Sequence, residues 1–263
     1  MAFLLAGHGR ELLERFGEAL RVARERPTEK RVHGLRVRMK KLRSLLRLAE
    51  AMAPGDGPPK GPMRRLLALF KMAGEQRETV VSAKVVRSLP LRDPTSAEPY
   101  VTDLGDRGRK AGKAMRKAMD DLRPRDIQRL RRHLGTVGNA LTHTQERKAA
   151  RRYVAMEMRR ARTLLRRGAP GEELHEVRKH LKNAWHTLRL LGDTGPLDER
   201  QNDLLGRLDG LQENLGDWHD IQVVVEDLDR TERRPAVLRR AAMARQRRER
   251  NRLMRSLQKA LEP

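Results

Sequence analysis

One segment of this chain is written twice, 142 residues apart, and that repetition limits the fold more than any other feature of the sequence. Val32-His33-Gly34-Leu35-Arg36-Val37-Arg38-Met39-Lys40 lies over Leu174-His175-Glu176-Val177-Arg178-Lys179-His180-Leu181-Lys182. The same gap-free offset carries Gly74-Glu75-Gln76-Arg77-Glu78 onto Gly216-Asp217-Trp218-His219-Asp220, and Leu66, Leu69 and Val81 onto Leu208, Leu211 and Val223. Toward the ends the match loosens: Met115-Arg116 and Leu122-Arg123-Pro124 resemble Met254-Arg255 and Leu261-Glu262-Pro263 at an offset of 139. A constant register over so long a stretch points to an internal duplication. The expected halves are about 1–126 and 127–263.

The elements within each half read as amphipathic helices divided by Pro and Gly. The pattern predicts helices over 9–26, 29–52, 61–88, 99–122, 124–143, 145–167, 171–192, 197–229 and 233–261. Breaks are expected at Pro27, Pro54–Pro62, Pro90–Pro99, Pro124, Gly168–Gly171, Gly192–Pro196 and Pro235. Aromatic residues make up only 3% of the chain and β-branched runs are scarce, so a large sheet is not expected. The fold class is all-α, with about four helices bundled in each half.

Several functions are excluded by what is missing. With no cysteine there are no disulfides, no thiol chemistry and no Cys-type zinc site. No apolar run approaches the roughly 18–20 residues that span a bilayer. The Met-Ala-Phe-Leu-Leu-Ala opening is too short for a signal sequence, so a cytoplasmic location is expected. Fifty-nine Lys and Arg against 35 Asp and Glu give a formal charge of +24. Self-repulsion of that size opposes a compact fold unless an anionic partner uses it.

The repeated helix shows where such a partner would sit. His33, Arg36, Lys40, Arg43 and Arg47 fall at i, i+3, i+7, i+10 and i+14, an arc of about 80° at 3.6 residues per turn. Val32, Leu35, Met39, Leu42 and Leu46 form an adjoining apolar stripe, and Gly34, Arg38, Lys41 and Leu45 fall on another side. The second copy aligns His175, Arg178, Lys182, Trp185 and Arg189 beside an apolar stripe of Val177, Leu181, Ala184 and Leu188. Glu176, His180, Asn183 and Thr187 give it a separate polar face. Charged helix faces are usually just solvated. These stripes are almost free of acid, however, so their like charges repel without i,i+4 compensation, and a bound anion would relieve that cost. Lys41, Lys179, Arg77 and His219 are expected near the edges. His33 and His175 sit in positive surroundings, where bound phosphate would favour the imidazolium as a further donor. No carboxylate or second histidine completes a metal set at helical spacing.

With the doubled H-x-x-R-x-x-x-K pattern in view, the chain resembles the CHAD family, the conserved-histidine α-helical domain. Its first-helix signature, about V-H-x-x-R-V-x-x-[RK]-[RK]-L-R, is met by Val32, His33, Arg36, Val37, Lys40, Lys41, Leu42 and Arg43. Leu174, His175, Arg178 and Lys182 match it again, while Trp185 stands where a base is expected. The L-G-x-[LW]-[RH]-D-x-x-V segment is met by Leu215, Gly216, Trp218, His219, Asp220 and Val223; in the first half Ala73 and Glu78 replace Leu and Asp. The resemblance covers nearly the whole chain. It implies two four-helix bundles related by a pseudo-twofold, a basic groove or pore, and binding of inorganic polyphosphate, with association to polyphosphate granules. Family members can accompany a CYTH triphosphate-tunnel domain; no E-x-E-x-K strand motif is present, so a stand-alone member is expected.

Catalysis is not expected, nor is a cofactor. There is no G-x-x-x-x-G-K-[ST] loop to wrap phosphate, and the acids are too scattered to hold Mg²⁺. Asp217 and Asp220, the nearest candidates, read as capping and packing at a Leu-Gly turn. The rival function is nucleic-acid binding, which basic charge serves equally. Three Phe, two Tyr and two Trp offer few platforms for stacking single-strand bases, and no duplex-reading motif stands out. An adaptor docking acidic proteins is a third reading. Polyphosphate carries repeated charge and no bases, so a row of cations suffices.

Overall fold

A computed structural model describes residues 4–167, 171–230 and 235–261, and every regular element in them is helical. The helices are α1 (Gly9–Glu25), α2 (Glu29–Met52), α3 (Lys60–Arg87), α4 (Glu98–Asp121), α5 (Pro124–Asn139), α6 (His143–Arg166), α7 (Gly171–Thr194), α8 (Glu199–Arg230) and α9 (Ala236–Leu261). A π-helical turn, Leu4–His8, precedes α1, and a 3-10 turn, Pro94–Ala97, precedes α4. Among the described residues no helix is long and apolar enough to cross a membrane.

Local chemistry sets the helix ends. Thr28 Oγ1 accepts from Arg31 N at 3.4 Å to start α2. Thr142 and Gln145 cap α6 reciprocally at 3.2 and 2.8 Å, and Asp198 and Gln201 do the same for α8 at 2.9 and 3.2 Å. Both bounds of α2 and α7 differ by the sequence offset, 29–52 against 171–194. Shifted likewise, α3 falls within α8. The expected division at 126/127 falls inside α5, which Pro124 and the Asp126 carboxylate begin two residues earlier.

The chain forms two compact units, and each draws on both sequence halves. One contains residues 1–71 and 116–206. In it α6 packs on α7, α1 on α2, and α5 on α1, with α2 also touching α5, α6 and α7. Leu4 and Leu5 are buried, and the fully buried Glu146 carboxylate accepts from their N–H groups at 2.8 and 3.1 Å. Arg65 binds the buried Asp126 carboxylate through two bonds of 2.9 and 2.6 Å.

The other unit contains residues 72–115 and 207–263. Its core joins Val86, Tyr100, Leu104, Ile221, Val224 and Leu238. Arg107 clasps Asp227 at 2.8 and 2.5 Å, and Tyr100 Oη donates to the same carboxylate at 2.6 Å. These donors hold Asp227 below the usual carboxylate range, the Arg107 bonds contributing most. The turn expected at Leu215-Gly216 is absent: α8 runs straight through, because Leu208, Leu211, Leu215 and Trp218 share one buried face that outweighs the roughly 1 kcal/mol cost of a mid-helix glycine.

Candidate functional site

The two basic stripes lie on α2 and α7, which pack in the same unit. The apolar stripe of α2 is buried as its periodicity predicts: Val32, Leu35, Met39, Leu42 and Leu46 are all core residues. Leu45, expected on a polar side, is fully buried as well, whereas Val37 is 39% exposed. The second half of α2 is therefore enclosed more widely than a single stripe requires. On α7, Val177, Leu181, Ala184 and Leu188 are buried likewise.

Each stripe has arginine set over an aromatic ring. The Arg36 and Arg43 guanidinium carbons lie 5.5 and 4.1 Å from the centroid of Phe70, supplied by α3. Burial and then the neighbouring Arg47 charge make the Arg43 cation less favourable than usual. In the second stripe Trp185 occupies the position corresponding to Arg43, and Arg189 lies 5.3 Å from its ring centroid. The departure at Trp185 thus exchanges a cation for a ring within the stripe itself. The Trp185 ring also meets His186 edge-on at 4.6 Å.

Two observations join the stripes. Arg47 Nη1 donates to Asn183 Oδ1 at 3.0 Å, linking α2 to α7. Lys182 of α7 and Lys40 and Lys41 of α2 all bear on His186, whose pKa is pushed down to about 4 by burial first and by these three charges next. Lys40, Lys41, Arg43, Arg47 and Lys182 therefore belong to one electropositive region.

The remaining candidates differ in their exposure and in the unit they belong to. His33 is exposed near the start of α2, and His175 and Arg178 are half-buried on α7. Lys179 is less available than expected, because Glu176 neutralises it at 2.6 Å. Arg77 and His219 belong to the other unit, on α3 and α8.

Part of the separate polar face of α7 is a packing seam. Glu157 of α6 has only 2% of its side chain exposed and accepts from Asn183 Nδ2 at 2.7 Å; Arg160 approaches it at 3.3 Å and His180 Nδ1 at 3.1 Å. Thr187 is buried, donating to Asn183 O at 2.9 Å. A buried carboxylate on α6 needs donors, and α7 supplies them. Asn183 consequently presents its amide nitrogen to Glu157 and its oxygen to Arg47. Phe70, His186 and Glu157 escaped sequence reasoning, and Asn183 was read only as part of the polar face of α7. Only His186 carried a signal, since it follows Trp185 in the stripe.

The other unit holds a cavity of about 610 Å³ lined by α3, α4 and α8. Glu75, Glu78, Glu226 and Asp227 offset Arg107, Lys110 and Arg230 there, so its charge does not favour a polyanion. Among the described residues no group of three or more His, Asp or Glu stands close enough to hold a metal ion.

A family model described as CHAD domain matches residues 8–229. The chain also resembles the crystal structure of the CHAD domain from the plant Ricinus communis, with a TM-score of 0.73 over 95% of this chain and 87% of that one, at 19% identity. At that identity the likeness speaks for the fold. No curated protein matches the sequence.

Proposed function

Because the chain belongs to the CHAD domain family, we propose that it binds inorganic polyphosphate without catalysis, along the adjoining basic stripes of α2 and α7. The convergence of Lys40, Lys41 and Lys182 on His186 carries this reading. Cations from two helices gather there around a half-buried imidazole that is left neutral, an arrangement that a bound polyanion relieves. His33, Arg36, Lys40, Lys41, Arg43, Arg47, His175, Arg178, Lys179, Lys182 and Arg189 form the proposed surface; Arg77 and His219 belong to the other unit and are left out of it.

The equal bounds of α2 and α7 support an internal duplication, with α1–α4 repeated as α6–α9 and α5 inserted between them. In this reading the chain is one CHAD domain of two related halves, meeting within α5, and the pseudo-twofold relates α2 to α7. Polyphosphate granules are the proposed location in the cell.

Nucleic acid is the second reading, favoured by the Trp185 ring within the stripe. Competition at a fixed, near-physiological salt concentration separates the two. Long-chain polyphosphate is expected to displace labelled duplex DNA at equal phosphate concentration, and excess DNA is expected not to displace polyphosphate. Displacement by DNA or single-stranded RNA would replace the first reading with the second.

A further inference from the structure

The family match ends at residue 229, and α9 begins at Ala236. This last helix has nine Arg and Lys residues against a single acid, Glu249. Its proposed counterpart α4 is nearly balanced, with six cationic and five acidic residues. The excess on α9 is also ordered. Leu238, Ala242, Leu253, Leu257 and Ala260 bury one side of the helix. Arg240, Arg247, Arg248, Arg255 and Lys259 are exposed on the other, at i, i+7, i+8, i+15 and i+19. At about 100° per residue these five occupy an arc of roughly 120° and extend about 28 Å along the axis.

Their surroundings differ from those of Arg239, Arg245 and Arg252 on the same helix. Arg239 pairs with Asp229 at 2.7 Å, and Arg245 and Arg252 share Glu249 at 3.9 and 3.3 Å. Among the described residues none forms an ion pair with any of the five. Arg255 and Lys259 stand at i,i+4, a like-charge spacing that disfavours the helix. A face that leaves its charges uncompensated while neighbouring acids pair elsewhere is suited to an external anion.

We propose that this face of α9 is a second binding surface for linear polyphosphate, outside the residues that the family model matches. The proposal rests on polyphosphate binding by the α2 and α7 stripes and adds a separate contact for the same polymer. A flexible phosphate thread can follow a straight, exposed row of cations over about 28 Å, whereas a rigid duplex curves away from it outside its major groove. Single-stranded nucleic acid gains much of its affinity from stacking on aromatic side chains, and α9 has no aromatic residue. A lipid surface would call for apolar side chains among the cations. On this helix Val237, 46% exposed, is the only large hydrophobic residue in the open among the described ones.

The test uses full-length protein in which Arg240, Arg247, Arg248, Arg255 and Lys259 are all replaced by Gln, with circular dichroism to check the helices. Titrations with long-chain polyphosphate across a salt series give the number of phosphates neutralised. Loss of five contacts should lower the slope of log affinity against log salt by about 3.5, at roughly 0.7 per phosphate for a single strand. Kd at near-physiological salt should rise about tenfold or more, through lost avidity. Tripolyphosphate titration followed by Trp185 fluorescence reports the α2–α7 stripes independently, since Trp218 is buried, and should match the wild type. An unchanged slope and Kd in the folded variant would overturn the α9 surface. Loss of duplex DNA binding with polyphosphate binding intact would overturn it too, in favour of nucleic acid. A wild type whose Trp185 ignores both polymers would instead count against the α2–α7 reading.

Discussion

His186 concentrates the electrostatics of the stripes in one side chain. Burial, Lys182, Lys40 and Lys41 together bring its pKa down to about 4 from an ordinary 6.5. Between those values the unfolded chain takes up a proton that the folded chain refuses, so acidification from about pH 6.5 toward 4 favours unfolding. The stabilisation present above that window and lost across it is about 2 kcal/mol after allowing for the partial exposure of the ring. His186→Asn should remove this share of the pH dependence in chemical denaturation. Long-chain polyphosphate over the three lysines should raise the midpoint of the His186 ring resonances from about 4. A midpoint that stays fixed when polymer binds would place the ligand elsewhere. Lys40 and Lys182 were legible in the sequence as a repeated pattern, and Lys41 as a residue at its edge. The histidine between them was not, because its character depends on Lys40 and Lys41 from a helix more than a hundred residues away.

At the level of single helices, existence and register were the most legible properties, since period and punctuation are local. The bounds of α2 follow directly from Thr28 and the turn at Gly55, which adopts φ 95°. What local pattern omits is contact between distant segments. The turn at Leu4–His8 carries no periodic signal, yet Glu146 holds it and it presses against α5. Gly138 makes that approach possible: a Cβ there would stand 2.8 Å from Ala6 N and 3.1 Å from Leu5 Cβ. Gly138→Ala should therefore destabilise the protein by about 1–3 kcal/mol, as overpacking does. Gly135, one turn earlier on the same helix, has nothing within 4 Å of a built Cβ. Gly135→Ala should stabilise by about 0.5–1 kcal/mol through helix propensity. Thermal unfolding of the two variants should move in opposite directions. A Gly138→Ala protein as stable as the wild type would show that the turn does not rest on α5.

Across the whole molecule, the repeat reveals which segments are alike and not which segments pack together. The compact units accordingly cut across the sequence halves, with α2 and α7 from opposite halves inside one unit. Their shared location gives the proposed function a dependence on polymer length. His33 to Arg47 and His175 to Arg189 each extend about 21 Å at 1.5 Å per residue. If one polymer follows both stripes, affinity should rise steeply with chain length until the thread reaches along both, and only statistically beyond that. Tripolyphosphate should bind weakly, and affinity for long polymer should fall steeply as salt releases condensed counterions. Replacing Arg36 and Arg178 together by Ala should weaken long-chain binding at least about a hundredfold, since charge-assisted contacts contribute roughly 1.5–3 kcal/mol each. The same pair of substitutions should flatten the length dependence, because each removes a cation from a different stripe. Calorimetric titration of a graded polymer series into wild type and double variant measures both effects. If affinity per phosphate is independent of length, or a folded double variant binds like the wild type, the two stripes do not hold one polymer.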